Sequence, residues 1–487
     1  MVSRTWLFGL VLAVPLIGFG VAEAIQAHLN SQLRSAFRKE YPSATEHQVA
    51  QMTIDRLCEV SPLELRDLCG TNTNLNLMSR AALVAGTIGF SWLLLIRLAG
   101  GLAKNNRNLL VAFFTPGRYL TALVLSGLIL VHAAVAMGAI YYGESALVGR
   151  LHVRLIAAIG LGALVGVLAI ARGTFSVVRK AETFVIGKTV TRVQAPQLWR
   201  EVEATALRLG ALQPDNLVVG LDPNFFVTEV GVICLDGRLN GRTLYCSLPL
   251  CRILSKEELT SVIGHELGHF KGQDTKFSKR FYPIYRGTVS SLTALQAAGD
   301  TGPGAIALLP AIAVLSYFLE CFCVAESRLS RERELAADQA AASVASPHAI
   351  AVALVKLHAF AGIWNGLQEA AANALRQGKA FVNVSRTYAE AVSESALPEA
   401  LQGVAEVHLP HPTDSHPPLS VRLQSLQVGL NNVATEALAV TPTEPAITLL
   451  SDVEKLEEEL SEVYQLLLAR QRGIDLEQAS KQARGGT

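Results

Sequence analysis

Residues 255–274, SKEELTSVIGHELGHFKGQD, are the stretch that decides the fold. Ser255 is a favourable helix N-cap, and Glu258 stands three residues later, where it completes a capping box. Apolar residues recur after them at helical spacing, and Gly272 favours a stop. The sequence therefore predicts a helix that begins near 255 and carries GHELGHF at 264–270.

Two histidines on this helix are spaced to bind one metal ion. Side chains at positions i and i+4 lie one above the other, so His265 and His269 can offer two imidazoles to the same ion. Glu266 lies beside that site, where it can take a proton from a zinc-bound water whose pKa is lowered towards about 7. An ordinary helix that happens to contain these residues is the alternative. It is less favoured because the motif follows a predicted sheet and is flanked by apolar residues.

A catalytic zinc site needs a third protein ligand and keeps one position open. Residues 327–342, SRLSRERELAADQAAA, read as a helix that carries Glu334 and Asp338 four residues apart. We interpret Glu334 as the third ligand and Asp338 as a carboxylate that orients one of the liganding imidazoles. The alternative is that both are solvated carboxylates paired with Arg331 and Arg333.

The composition indicates a membrane protein. Half of the 487 residues are hydrophobic and only 17% are charged. The formal net charge is +1, so no global field attracts nucleic acid, and we expect no nucleic-acid partner. Four apolar stretches approach the roughly 20 residues that cross a bilayer. They are residues 6–25, 80–98, 119–141 and 153–171.

The four stretches could instead be buried core helices. The first of them, 6–25, could also be a cleaved signal peptide. We favour spans because internal charges are nearly absent and 6–25 lacks a clear small-x-small exit. Basic residues in the 99–118 loop and after 172 place the N-terminus and the second half of the chain in the cytoplasm. The 27–78 loop then lies outside, where Cys58 and Cys69 could form a disulfide.

The second half of the chain is predicted to be α+β. A helix is expected over 195–210, and strands over 215–221 and 242–250. Residues 224–239 read as a hairpin arm with its turn at the Asp-Gly pair 236–237, so a small antiparallel sheet is expected before the motif.

The two halves of the metal site must lie on the same side of the membrane. An odd number of crossings between His265 and Glu334 is therefore excluded, although 304–326 is long enough to span. Either 282–299 pairs with it as an apolar hairpin, or 304–326 does not cross. We favour a hairpin that packs against or dips into the bilayer.

The sequence predicts three domains. They are a membrane domain (1–175) with four transmembrane helices, a zinc metalloprotease domain (176–430) that includes the hairpin at 282–326, and a linker with a helical tail (431–487). The tail carries a short heptad seam over 452–473, which would mediate self-association or cap the catalytic domain.

The chain resembles the integral-membrane zinc metalloprotease family that includes HtpX and the CAAX prenyl proteases. The resemblance spans about 180–430 and rests on four segments. They are DPNFFVTE (222–229), HELGH (265–269), SRERELAAD (330–338) and SHPPLSVRLQSL (415–426). It implies a mostly α-helical multi-pass membrane protein with a zincin-like (gluzincin) α+β domain. Four preceding spans, a two-cysteine loop and an extended tail depart from the best-known members, and this puts their substrate specificity in doubt here.

The resemblance also implies roles for individual residues. The zinc ligands would be His265, His269 and Glu334, with Glu266 as general base and Asp338 beside the ligands. His416 would bind substrate or stabilise the oxyanion, unless it only forms a loop turn before a helix. Asn224 would hold the substrate backbone next to an edge strand.

The expected function is a zinc endopeptidase of the bacterial inner membrane that cleaves membrane-associated or misfolded proteins on the cytoplasmic side. Its partners would be peptide or membrane-protein substrates and the lipid bilayer, with self-association through the C-terminal helix. The alternatives are a dedicated processing protease, for example for a lipidated C-terminus, and a non-catalytic membrane scaffold. The intact HELGH motif argues against the scaffold.

Overall fold

The computed structural model describes most of the chain. The described residues are 5–60, 65–147, 149–175, 182–272, 305–396 and 416–476, with short pieces at 288–289, 292–293, 296 and 401. The chain divides into two compact units. One consists of Met1–Val178 and Ile284–Ala325, and the other of Arg179–Pro283 and Glu326–Thr487.

The first unit is helical. Its helices before residue 178 are α1 (Thr5–Glu40), α2 (Glu46–Gln51), α3 (Ile54–Val60), α4 (Arg66–Ala103), α5 (Arg107–Leu147) and α6 (Val153–Phe175). Four of them, α1, α4, α5 and α6, contain stretches that are long and apolar enough to cross a membrane, and they match the four predicted spans. The fold is therefore that of a multi-pass membrane protein.

The predicted 27–78 loop is mostly helical. Helix α1 has 36 residues, which makes it about 54 Å long at 1.5 Å per residue, against a hydrocarbon core of about 30 Å. The end of α1, all of α2 and α3, and the start of α4 occupy the predicted loop. The prediction of a loop was wrong because the ends of the spans were located by hydropathy. A helix can continue into polar sequence without a change in backbone geometry.

This extension is held by a disulfide and by polar side chains. Cys58 and Cys69 are bonded, with their Cα atoms 5.5 Å apart, so the pairing that the sequence allowed is present. Asn72 Nδ2 donates to Asp55 Oδ1 at 2.6 Å, and Gln26 Nε2 donates to Asn76 Oδ1 at 2.9 Å. These bonds join α1, α3 and α4 within the first unit.

The second unit contains two small sheets. Its strands are β1 (Glu182–Phe184), β2 (Gly187–Thr189), β3 (Asn216–Gly220), β4 (Phe226–Thr228), β5 (Gly231–Cys234), β6 (Gly237–Leu239) and β7 (Thr243–Ser247). The strand orders are β1-β5-β6 and β2-β3-β7-β4, so β4 is an edge strand. Its Phe226 lies opposite Tyr245 of β7, and the two rings are stacked with centroids 4.9 Å apart.

The predicted antiparallel sheet is wrong in one respect. The two central strands, β3 and β7, are parallel, and only the outer pairs β2–β3 and β4–β7 of that sheet are antiparallel. The predicted 224–239 arm divides into β4 and the β5–β6 hairpin, which belong to different sheets. After β3 the chain forms β4, β5 and β6, and it then forms β7, which runs beside β3 in the same direction. The alternation of side chains along a strand does not indicate this direction.

The helices of this unit pack around the sheets. They are α7 (Pro196–Leu209), α8 (Leu248–Ile253), α9 (Lys256–Lys271), α10 (Ala305–Val344, which begins in the first unit), α11 (Pro347–Ala359), α12 (Ala361–Arg376), α13 (Val384–Ser395), α14 (Leu419–Ser425), α15 (Leu430–Ala437) and α16 (Val453–Gln471). Helix α7 confirms the predicted 195–210 helix. It has Pro196 in its first turn and ends at Gly210, whose φ of 61° is left-handed.

A fifth stretch, Pro347–Arg376, is also apolar enough to span a membrane. It consists of α11 and α12, and α11 is buried over residues 349–356. Lys356 is 1% exposed there and donates from Nζ to Glu258 Oε2 at 2.9 Å. A cation paired within the unit, together with this burial, favours a core helix over a membrane crossing.

The C-terminal residues belong to the second unit. A linker was predicted over 432–446, but Leu430–Ala437 is helical, and Val433 and Ala437 are buried. The predicted tail helix forms α16 and docks through Leu460, Tyr464 and Leu468, which lie in the core of the unit. Leu460 belongs to the predicted heptad seam of Val453, Leu456, Leu460, Val463 and Leu467, whereas Tyr464 and Leu468 each lie one position after a seam residue.

The predicted apolar hairpin lies only partly within the described residues. Its second arm belongs to α10, which is one continuous helix from Ala305 to Val344. Most of the first arm, 282–299, lies outside the described residues, so the hairpin stays a prediction. In the division into compact units, Ile284–Ala325 belongs to the first unit and not to the predicted metalloprotease domain.

Candidate active site

Helix α9 carries the two histidines, and its start agrees with the prediction. Ser255 accepts from the Glu258 backbone N–H, and the Glu258 side chain accepts from the Ser255 N–H, so the capping box is formed. The helix ends at Gly272. This local signal fixes the register of His265 and His269 on α9.

Two glycines allow α9 to approach α10 closely. A Cβ atom at Gly264 would lie 2.5 Å from Val344 Cγ2 and 3.2 Å from Ala341 Cα. A Cβ atom at Gly268 would lie 3.3 Å from Ala337 Cα. The glycines of GHELGH and the alanines of ELAADQAAA are therefore complementary, and their contact brings the histidines next to the carboxylates of α10.

Three predicted ligands converge between these helices. Glu334 Oε2 lies 3.6 Å from His265 Nε2, and Glu334 Oε1 lies 3.6 Å from His269 Nε2. One ligand atom from each residue lies within 4.8 Å of the other two. Among the described residues, these three side chains form the cluster that is placed to hold a metal ion.

The donor set fits zinc. Two imidazole nitrogens and one carboxylate are the protein ligands of one class of catalytic zinc site, which keeps a further position for water or substrate. Burial lowers the pKa of His269 to about 3, so its imidazole is neutral and can act as a ligand. Although burial opposes it, hydrogen bonding from His416 holds the pKa of Glu334 below its usual value.

Asp338 lies behind the first histidine. Its Oδ1 accepts from His265 Nδ1 at 2.9 Å. Because Nδ1 carries that proton, Nε2 presents its lone pair towards Glu334. Despite the opposing effect of burial, the hydrogen bond to Asp338 raises the pKa of His265. The position of Asp338 matches its predicted role of orienting an imidazole.

Arg422 completes this arrangement, and the sequence assigned it no role. Its Nε donates to Asp338 Oδ2 at 2.8 Å and its Nη2 to Asp338 Oδ1 at 2.6 Å. Both side chains are buried, with Arg422 6% exposed and Asp338 fully buried. The signals available were the position of Arg422 within SHPPLSVRLQSL (415–426), one of the segments that carry the resemblance, and the need of a buried carboxylate for a cationic partner.

The general-base candidate lies in the same place. Glu266 follows His265 on α9, and burial raises the pKa of its carboxyl to about 7. The neighbouring Glu334 also raises this pKa, whereas His265 and a hydrogen bond from the Val227 backbone lower it. Glu266 therefore lies between the metal ligands and the edge strand β4.

A cavity of about 750 Å³ joins these groups. It is lined by the three ligand residues, Glu266, Arg422, and both remaining predicted site residues, Asn224 and His416. His416 is largely exposed, and its Nδ1 lies 3.0 Å from Glu334 Oε2. Asn224 is exposed two residues before β4. The structure thus brings every predicted site residue to this cavity or, for Asp338, directly behind it.

Comparisons with known proteins agree with this arrangement. The model of peptidase family M48 matches residues 196–428. A protein named Protease HtpX homolog from Pyrobaculum aerophilum is 31% identical over 175 residues, which cover 34% of this chain and 47% of that protein. The chain thus spans about half of the length of that relative. No solved structure matches the chain significantly.

Other relatives are covered more fully. A Protease HtpX homolog from Ralstonia pickettii is 31% identical over 195 residues, which cover 38% of this chain and 63% of that protein. Another, from Arthrobacter sp. (strain FB24), is 30% identical over 233 residues, which cover 45% of this chain and 74% of that protein. With this coverage and the matching family model, the chain belongs to peptidase family M48.

Proposed function

We propose that this chain is a membrane-embedded zinc endopeptidase that cleaves peptide bonds of membrane-associated or misfolded proteins on the cytoplasmic side. The observation that carries the proposal is the convergence of His265, His269 and Glu334 within 4.8 Å of one another. Glu266 and the edge strand β4 border the same cavity.

Each group in the cavity has a task in peptide hydrolysis. His265, His269 and Glu334 would hold the zinc ion. When bound, zinc supplies Lewis-acid polarisation of the scissile carbonyl and lowers the pKa of a water molecule. Glu266 would accept a proton from the attacking water and deliver it to the leaving amine.

The remaining side chains position these groups and the substrate. Asp338, fixed by Arg422, holds His265 in the tautomer whose Nε2 is a ligand. An extended peptide adds to β4 by main-chain hydrogen bonds, with Asn224 next to that edge. His416 lies at Glu334, from where it would stabilise the carbonyl oxygen on which negative charge develops.

The membrane and its orientation restrict the substrates. The four apolar helices of the first unit support a multi-pass membrane protein. Residues 99–118, predicted to be a loop, are mostly helical, since only 104–106 separate α4 from α5. The basic residues of this segment and those after 172 support a cytoplasmic second unit. We place the protein in the bacterial inner membrane, with membrane proteins and their cytoplasmic segments as substrates.

The test uses full-length protein purified in detergent. Wild type is expected to contain one zinc ion per chain and to cleave an unfolded model protein, and a chelator should stop cleavage. Glu266→Gln should lose cleavage while it retains zinc. Glu257→Gln is the matched control, because Glu257 is an exposed carboxylate of the same helix. Cleavage by Glu266→Gln at the wild-type rate would contradict the assigned mechanism.

The two alternatives give different results. A dedicated processing protease would cleave a lipidated C-terminal peptide and leave unfolded proteins intact. A non-catalytic scaffold would contain no stoichiometric zinc and cleave neither substrate. The intact ligand set and Glu266 favour an enzyme over the scaffold.

A further inference from the structure

The chain continues past the family match. The M48 family model ends at residue 428, whereas the described part of the second unit reaches residue 476. We call residues 438–471 the C-terminal extension. It runs from the end of α15 through a short 3-10 turn, Ala446–Leu449, to helix α16, whose Tyr464 packs against Trp364 with ring centroids 5.7 Å apart. Of the described residues that line the cavity, none belongs to the extension. Its effect on the site is therefore exerted through other residues.

The extension meets the segment that leads into helix α9. We call this segment, residues 252–256, the junction, because it joins α8 to α9. Ser255 of the junction pairs with Pro445 of the extension in an antiparallel β-bridge. The bridge consists of two backbone hydrogen bonds, one of 2.8 Å from the Ala446 N–H to the Leu254 carbonyl and one of 3.1 Å from the Lys256 N–H to the Glu444 carbonyl. Since Ser255 is the N-cap of α9, the extension is bonded on both sides of the residue at which that helix begins.

A buried ion pair holds the start of the junction. Arg252 donates from Nε to Glu457 Oε1 at 2.8 Å, and its Nη2 donates to Oε2 of the same carboxylate. Glu457 of α16 is fully buried and also accepts from Asn383 Nδ2 at 2.8 Å. Glu454 accepts from Arg252 Nη2 at 3.0 Å. A bidentate pair fixes direction as well as distance, and the buried carboxylate would be costly to leave without its cation. The pair therefore holds α8 against α16.

Lys356 of α11 connects the extension to the cap of α9. Its Nζ donates to Glu258 Oε2 at 2.9 Å and to the Ala439 carbonyl at 2.9 Å. Glu258 Oε2 is also the acceptor of the Ser255 N–H in the capping box. The extension is thus joined to the beginning of α9 at three places, by the ion pair, by the bridge and through Lys356. All three lie within residues 252–258.

The metal site depends on where α9 lies along its own axis. Gly264 and Gly268 face small residues of α10, and this permits the close approach of the two helices. Small side chains form shallow ridges, so this contact by itself resists sliding of α9 only weakly. His265 and His269 must each stay at one oxygen of Glu334, and a displacement of about 1 Å can lower a rate by about 100-fold. A restraint at the start of α9 supplies the axial position that the helix contact leaves open.

We propose that the C-terminal extension is a clamp that fixes α9 along its axis, and that Arg252 and Glu457 are positioning residues of the metal site. The inference rests on the proposed function, because it names what holds the metal ligands of that peptidase in place. The ion pair acts through α8 and α9. Without the clamp, the unit keeps its fold, but His265 and His269 move relative to Glu334. Turnover and zinc affinity should then fall, whereas substrate affinity should change little, because β4 lies outside the junction.

The test compares variants of the full-length protein in detergent, with dye-labelled casein as an unfolded substrate. Glu457→Gln keeps the size of the side chain and removes its charge. We expect kcat to fall by about 10- to 100-fold and zinc affinity by about 10-fold, with KM changed by less than about 2-fold. Glu458→Gln, at the exposed next position of α16, should match wild type. If Glu457→Gln does not fold, Arg252→Lys replaces it, since lysine keeps a cation at Glu457 but loses the bidentate geometry.

A second control separates positioning from stability. Gln465 of α16 is 4% exposed, and its side chain accepts from the Phe381 N–H at 2.7 Å and donates to the Phe381 carbonyl at 2.8 Å, away from the junction. Gln465→Ala should lower the unfolding temperature, as Glu457→Gln does, but retain kcat and zinc affinity. Equal losses of kcat in these two variants, or wild-type kcat and zinc affinity in Glu457→Gln, would overturn the proposal.

A measurement on metal-free protein separates this inference from the proposed function. Hydrogen exchange is followed by mass spectrometry in the peptide that covers residues 254–264. Exchange there should be about 10-fold faster in Glu457→Gln than in Glu458→Gln, because the start of α9 is released. Faster exchange and weaker zinc binding without any cleavage by wild type would remove the peptidase and keep the clamp. Cleavage by wild type with equal exchange and equal kcat in the two variants would remove the clamp and keep the peptidase.

Discussion

His265 and Asp338, which are 73 residues apart in the chain, are joined by a hydrogen bond of 2.9 Å between Nδ1 and Oδ1. Arg422 donates to both oxygens of the same carboxylate, so a side chain of α14 fixes Asp338 of α10, which in turn orients the imidazole on α9. Three segments must therefore be in place before His265 presents Nε2 as a ligand.

The Asp338→Asn variant tests this relationship. Asparagine keeps the size of the side chain but removes the charge that polarises His265 and pairs with Arg422. We expect zinc affinity to fall by about 10- to 100-fold, the range found for such supporting partners. Competition titration with a chromogenic chelator measures this affinity. Glu332→Gln, an exposed position of the same helix, is the control, and equal affinities for both variants would remove the positioning role.

The close contact of α9 with α10 predicts the effect of adding one methyl group. In the Gly264→Ala variant, the new Cβ would meet Val344 Cγ2 and Ala341 Cα, and overpacking should lower the free energy of unfolding by about 1–3 kcal/mol. At Gly366, on the exposed side of α12, a Cβ meets nothing within 4 Å. Gly366→Ala should therefore stabilise the protein by about 0.5–1 kcal/mol. Thermal unfolding in detergent compares them, and two equally stable variants would contradict the packing.

Lys356 connects three segments of the second unit. Its Nζ donates to Glu258 Oε2 at 2.9 Å, to the Ile253 carbonyl at 3.1 Å and to the Ala439 carbonyl at 2.9 Å. Lys356→Met leaves Glu258 buried without its cation and should cost about 3–5 kcal/mol. Addition of Glu258→Gln should recover part of this loss, since no unpaired charge then remains. Strict additivity of the two changes in a thermal-unfolding cycle would show that the pair is not coupled.

The disulfide of the first unit predicts the pattern of thiol labelling. The sequence has seven cysteines, and the disulfide of the described residues joins Cys58 and Cys69. Denatured, unreduced protein should take up five maleimide groups, and reduced protein seven, as counted by mass spectrometry. Replacing both Cys58 and Cys69 by serine should destabilise the helical extension by about 3 kcal/mol, because the bond restricts the conformations of the unfolded chain. Seven labels without a reductant would exclude the bond in the cellular protein.

The sequence by itself determined the features that depend on near neighbours in the chain. The four spans follow from runs of apolar residues, and α9 follows from the Ser255–Glu258 capping box. The pairing of His265 with His269 follows from the i, i+4 geometry of a helix. These signals are local, because hydrogen bonds and side-chain positions within one helix are set by residues three or four places apart.

The tertiary structure alone decided which distant partners meet. Periodicity marks the face of an element that is buried, but it does not say what covers that face. The parallel pairing of β3 with β7, the bonds from Arg422 to Asp338 and from Lys356 to Glu258, and the support of Trp364 by Tyr464 all join residues that are far apart in the chain. Such contacts form because a buried charge needs a partner and a buried ring needs a packed surface, and only the folded chain determines which residue meets that need.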